Sequence, residues 1–158
     1  MGSVHTREVR VLSIRQPWAE LILSGTKDTE NRTWATQWRG RLVVHAGRRF
    51  DTSGALVVAG LGITVPRPAP TGYLGVADLV DVHPARGQCC EWGEAGGYHW
   101  RVVRPRRFEY PIPGPGRLGL HRPPEPVAAQ LDTAIGALHE HQPASPHRIR
   151  PAGAAPGR

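Results

Sequence analysis

The chain has 158 residues, 20 lysines and arginines against 13 acidic residues, a formal net charge of +7 and a pI near 10.6. That length suits one domain with a real hydrophobic core and is too short for two comfortable ones. The only cysteines, Cys89 and Cys90, are adjacent and cannot supply a disulfide framework; the charged start MGSVHTREVR has no secretory pattern, and no run approaches the roughly 20 apolar residues of a spanning helix. A cytoplasmic protein without membrane association is expected.

Residues 1–8 read as a flexible leader, and the segment EVRVLSI that follows reads as a strand. Pro17 suits the first turn of a short helix carrying Trp18, Leu21 and Ile22, which Ser24 and Gly25 close. Residues 28–34 alternate and are placed as an extended segment, and Arg41 to Ala46 is a β-branched run typical of a buried strand. Asp51 or Thr52 is positioned to cap a second helix ending at Gly60 to Gly62. A proline-rich surface loop at 66–70 leads to a long strand over Tyr73 to Val82 and then to a polar, glycine-rich loop over 83–97. Tyr98 to Val103 and Arg106 to Ile112 read as two further strands, followed by a turn at Pro113 to Gly116. After a proline hinge at 123–126, Val127, Leu131, Ile135 and Leu138 share one face of a C-terminal helix, either packed on the domain or standing as an appendage. The last segment, 142–158, has almost no large apolar residue and is expected to be disordered. Several short strands without a regular βαβ rhythm point to an α+β fold built on a small mixed β-barrel with flanking helices.

The excess charge lies in residues 1–121, with 16 Lys+Arg against 10 Asp+Glu, while residues 122–158 hold 4 against 3. Such a balance fits a nucleic-acid or other anionic partner. Nineteen of the 20 cations are arginine, a bias that reflects coding background as much as selection for phosphate-binding forks, and Lys27 is the only lysine. The stretch from Ser13 to Gly47 interleaves cations with tryptophans, which suits a polyanion carrying flat bases, although tryptophans of the core look partly the same.

Three segments, SIRQPWAELILSGTKDTENRTW (13–34), RGRLVVHAG (39–47) and GYLGVADLVDV (72–82), resemble the ASCH domain family, named for activating-signal-cointegrator homology, over about residues 9–121. Within the family, the sequence looks most like the subgroup containing the eukaryotic cointegrator domain. The resemblance implies a PUA-like barrel with a cleft beside the first helix, lined by Lys27, Glu30 and Arg32 and binding RNA or other nucleic acid. Some small members are amidohydrolases that deacetylate N4-acetylcytidine with a lysine, a threonine three residues later and a more distant glutamate. Here Lys27 is kept, Glu30 stands at the threonine's place, and Thr29 points the other way in an extended segment.

Nucleic-acid binding is therefore the first expectation. Lys27, Glu30, Arg32 and Trp34 would hold a base, and Arg15, Arg39, Arg41, Arg48 and Arg49 the phosphates, with Gln16 and Trp18 beside them and Trp18 weighed more as core than as stacking platform. The alternatives are hydrolysis of an amide-bearing nucleoside, with Glu30 activating water and Lys27 on the oxyanion, or a weak ribonuclease. Glu91 and Glu94 are the nearby candidates for a distant carboxylate. His45 reads as a satisfied core histidine, and His83, Cys89 and Cys90 form no recognised metal spacing, so neither metal nor cofactor is expected. No phosphate-cradling Walker loop or G-x-S-x-G elbow is present. A monomer is the simpler state.

Overall fold

The computed structural model describes residues 9–140, so the expected leader at 1–8, the last residue of the predicted helix and the tail at 142–158 lie outside the described residues. Strands β1 (Arg10–Ser13), β2 (Thr29–Arg32), β3 (Gly40–Ala46), β4 (Gly72–Pro84), β5 (Tyr98–Ile112) and β6 (Leu120–His121) are interleaved with helices α1 (Trp18–Leu23), α2 (Thr52–Gly60) and α3 (Glu125–Glu140). They form one sheet in the order β2-β5-β4-β3-β1-β6, with β1 and β3 parallel and the other pairs antiparallel. The sheet is a mixed half-barrel, and no ladder joins its two edges, β2 and β6.

Alternation along the strands gives the sheet two buried faces. Leu12 and Ile14 from the first strand region, Leu42 and Val44 from β3 and Trp100 from β5 look inward and meet Ile22 and Leu23 of α1. Val11, Val43 and Val76 look outward and are covered by Val127, Leu131 and Ile135 of α3. This explains why β3 reads as a continuous apolar run rather than a half-polar one. The predicted C-terminal helix thus packs back on the sheet, with Pro126 inside its first turn rather than in a free hinge.

Local signals place the segments that matter for the site. After α1, Gly25 takes a left-handed φ of 80° and the Lys27 N–H donates back to the Leu21 carbonyl at 3.0 Å, which lays Lys27 against the helix and starts β2. Asp51 caps α2 as expected, its carboxylate accepting from the Ser53 and Gly54 N–H groups. Two features differ from the sequence reading. The strands expected at 98–103 and 106–112 are one 15-residue strand, because Arg104 at φ 51° and Pro105 are absorbed by irregularities in the β4 pairing rather than ending the ladder. Strand β6, only two residues long, carries no periodicity to read.

Candidate functional site

A cleft of about 900 Å3 opens along the seam that the half-barrel leaves unclosed. One wall is β2 and its continuation to Trp34; the other is the end of β1 with Arg15, together with residues 116–118 ahead of β6. Arg32 spans the gap, its Nη2 donating to the Ser13 carbonyl at 2.7 Å. A second cavity of about 320 Å3 shares Trp18, Glu30 and Asn31 with the cleft and extends to Lys27 and the loop at 91–94.

Two cations converge on one carboxylate here. Lys27, only 4% exposed, donates through Nζ to the Thr29 carbonyl and to Glu30 Oε2, the latter at 3.2 Å. Glu30 Oε1 lies 3.0 Å from Arg32 Nη2, so each oxygen has its own cation and the trio is left with one positive charge. Arg32 Nε is buried and has no hydrogen-bond partner among the described residues, a donor that the fold itself leaves unused. The Lys27 ammonium also stands 5.7 Å from the centre of the Trp18 ring.

The tryptophans divide their surfaces between core and cleft. Trp18 is half-buried, packs on the core, and donates its indole N–H to Asp51 Oδ2 at 2.9 Å, while its remaining face lines both cavities. That bond and the Ser53 hydroxyl, the stronger cause, hold the Asp51 carboxyl down at about 2. Trp34 also lines the cleft. Its ring meets Trp100 edge-on with centroids 4.6 Å apart, and its carbonyl accepts from the Trp100 indole at 3.1 Å. Arg15, Arg48 and Arg49 stand exposed at the rim, joined by Arg117.

Four residues proposed from sequence do not line this cleft: Lys27 lies in the adjoining cavity, and Gln16, Arg39 and Arg41 lie elsewhere. Gln16 is fully buried: its amide oxygen accepts from the Glu20 N–H at 3.1 Å and its nitrogen donates to the Pro70 carbonyl at 2.9 Å, tying α1 to the proline-rich loop. Arg39 and Arg41 sit at the start of β3, whereas the cleft lies beyond its end, where Arg48 and Arg49 follow. They line a separate cavity with Asp78 and Arg104, and Arg41 bonds Asp78 at 3.3 Å.

Other members were not read from sequence. Ser13 lines the cleft, and its hydroxyl is 3.0 Å from His45 Nδ1, while His45 Nε2 is 2.9 Å from the Gly114 carbonyl. A carbonyl only accepts, so the ring proton is on Nε2 and the Ser13 hydroxyl donates to Nδ1. His45 is thus satisfied in the core, as expected. Thr29 is buried and its hydroxyl donates to Asp28 at 3.0 Å, away from Lys27. Behind β2, His99 of β5 joins His83, Cys89 and Cys90, a grouping that spacing along the chain does not display. There the Arg86 backbone N–H, and next His83, lower the Cys89 thiol to about 6, while burial raises that of Cys90.

The half-barrel with α1 packed on its inner face and a cationic cleft along its open seam is the architecture of a PUA-like domain. Human activating signal cointegrator 1 is 34% identical over 79 residues, and its mouse counterpart 37% over 79, covering 44% of this chain and 14% of each relative. The family model for the ASCH domain matches residues 12–112, and the chain belongs to that family. It spans about 14% of the length of those curated relatives. Crystal structures of ASCH from Zymomonas mobilis share the fold: the protein itself superposes with a TM-score of 0.52 at 14% identity over 80% of this chain and 95% of that one. A mutant form gives 0.52 at 15% identity over 80% and 98%.

Proposed function

We propose that this chain binds nucleic acid, holding one unpaired base or strand end in the seam cleft. The observation that carries the reading is the convergence of Glu30 and Arg32 with four exposed arginines on one cavity large enough for a nucleotide, with Lys27 bonded to Glu30 from the adjoining cavity. Glu30 accepts from an exocyclic amino group, Arg32 Nε donates to a ring acceptor, and Trp18 and Trp34 offer apolar surface beside the base. Arg15, Arg48, Arg49 and Arg117 contact phosphates, which position the strand without reading its sequence. Fluorescence anisotropy with short labelled RNA and DNA oligomers tests this: Arg32→Ala combined with Lys27→Met should abolish measurable binding while circular dichroism stays native. Unchanged affinity in a folded double variant would sink the proposal.

A second reading, hydrolysis of a bound nucleoside derivative, is favoured by one specific contact. The cleft does contain a hydroxyl bonded to a base, Ser13 on His45, in addition to the Lys27–Glu30 pair. N4-acetylcytidine incubated with the protein and followed by chromatography separates the two: turnover lost in Ser13→Ala or Glu30→Gln supports hydrolysis, and no product above those controls leaves binding alone.

A further inference from the structure

The hairpin loop between β4 and β5 gathers four side chains that the cleft does not use. His83, near the end of β4, and His99, near the start of β5, are direct cross-strand partners. The ladder alone therefore sets two imidazoles side by side, with ring centres 5.4 Å apart and planes at 79°. Cys89 and Cys90 return onto them from the loop. Cys89 Sγ is 3.4 Å from His83 Nε2 and 3.1 Å from His99 Nδ1, and Cys90 Sγ is 3.7 Å from His83 Nε2. One ligand atom from each of the four lies within 4.8 Å of every other.

Each imidazole is fastened by its far nitrogen. His83 Nδ1 is 2.7 Å from Asp81 Oδ2, and His99 Nε2 is 2.7 Å from the Glu94 carbonyl. A carbonyl only accepts, and so does an ionised carboxylate. The ring protons of the neutral imidazoles therefore sit on those nitrogens, and the lone pairs of His83 Nε2 and His99 Nδ1 face the two sulfurs. An oxygen acceptor behind each imidazole is the arrangement that orients histidines on a metal. Hydrogen bonding explains the cluster less well, since Cys89 has one S–H and lies against two lone pairs.

The spacing suits a tetrahedron. Metal bonds of about 2.0–2.1 Å to nitrogen and about 2.3 Å to sulfur give N···S edges of about 3.6 Å around a tetrahedral ion. The three N···S separations, 3.4, 3.1 and 3.7 Å, straddle that value before any adjustment. Two imidazoles and two thiolates select zinc over magnesium or calcium, which take oxygen ligands.

We propose that His83, Cys89, Cys90 and His99 bind a zinc ion in a closed, four-ligand structural site that fixes the β4–β5 loop. Coordination of Zn2+ by two thiolates and two neutral imidazoles leaves the centre uncharged and releases whatever protons the thiols still carry. The ion would act on the wall of the smaller cavity. A Cβ added at Gly93 would stand 2.4 Å from His99 Cε1, so the loop runs directly over a ligand, and Trp92, Gly93 and Glu94 line the cavity that holds Lys27 and Glu30. This inference does not depend on nucleic-acid binding.

Metal analysis by mass spectrometry of tag-free chain, purified without chelator from zinc-supplemented culture, should give about one zinc per chain, falling to near zero in Cys89→Ser/Cys90→Ser. Cobalt(II) added to the stripped protein should give intense tetrahedral ligand-field bands and a thiolate-to-cobalt charge-transfer band, both removed by zinc. Amides of residues 85–97 should exchange hydrogen more slowly with zinc bound. Absence of both zinc and the tetrahedral cobalt spectrum, or equal zinc in the folded double variant, would overturn the site. If the double variant fails to fold, the cobalt spectrum of the unaltered chain decides alone. Equal amide exchange with and without zinc would overturn the role assigned to the ion in the loop.

Discussion

Salt dependence counts the phosphates that the rim arginines hold. Arg15, Arg48, Arg49 and Arg117 are exposed on the cleft. If each neutralises one phosphate of a single strand, log affinity falls against log salt with a slope of about −2.8, or about 50-fold between about 50 and 200 mM. Arg48→Ala/Arg49→Ala should bring the slope to about −1.4 and the loss over the same range to about 7-fold. Arg39→Ala is the control. It removes one charge from the chain, but Arg39 donates to the Thr36 and Trp38 carbonyls and lines the other cavity. Its slope should stay near that of the unaltered protein. Anisotropy titrations of a short labelled oligomer at four salt concentrations give all three slopes. The cleft assignment is refuted if Arg39→Ala flattens the slope as much per charge as the double variant, for then attraction is spread over the whole basic surface.

Two further predictions concern the scaffold beneath the cleft. Asp51→Ala removes the cap of α2 and the acceptor of the Trp18 indole, and should cost about 1 kcal/mol in urea unfolding. Because the folded carboxyl sits at about 2 against an ordinary 3.8, the unfolded chain binds the proton more readily. The contribution of Asp51 is therefore complete above about pH 4 and lost as pH falls toward 2, and Asp51→Asn should flatten that part of a stability–pH curve. Arg107 grips Glu20 of α1 with a two-pronged contact at 2.7 and 2.6 Å. Its side chain is 43% exposed, so a double-mutant cycle of Arg107→Ala with Glu20→Gln should give a coupling of about 1 kcal/mol rather than the several expected of a dry pair. A coupling near zero would show that this ion pair does not help to hold α1 against β5.

Features written in a few neighbouring residues were legible in the sequence, and those made by strand register were not. Pro17 with the Trp18, Leu21, Ile22 spacing defines α1, Asp51 defines the cap of α2, and Leu42 to Ala46 define a strand buried on both faces. The two strands expected at 98–103 and 106–112 left Arg104 and Pro105 between them, yet the pairing with β4 carries through by shifting register. The trio of Lys27, Glu30 and Arg32 came from the resemblance to the ASCH family, carried by the one short segment in which all three lie. Arg117 was missed because only the folding of the Pro113 to Gly116 turn brings it to the same cleft. His99 was missed as a partner of Cys89 for a related reason: sequence spacing counts residues along the chain, while the β4–β5 ladder places it opposite His83.

Strand β2 carries more of this site than its four residues suggest. Its inner edge pairs with β5, and its outer edge has no strand partner among the described residues. Glu30 holds two cations in the cleft, and Arg32 ties the strand across the seam to Ser13. Between them, Asn31 turns to the loop, donating to the Trp92 carbonyl and accepting from the Glu94 N–H, both at 2.9 Å. Glu94 in turn offers its carbonyl to His99. The charged trio and the histidine–cysteine cluster are thus two sides of one strand, separated by a single asparagine. Asn31 therefore ties the loop to the stretch of backbone between Glu30 and Arg32, which carries two of the cleft's charges.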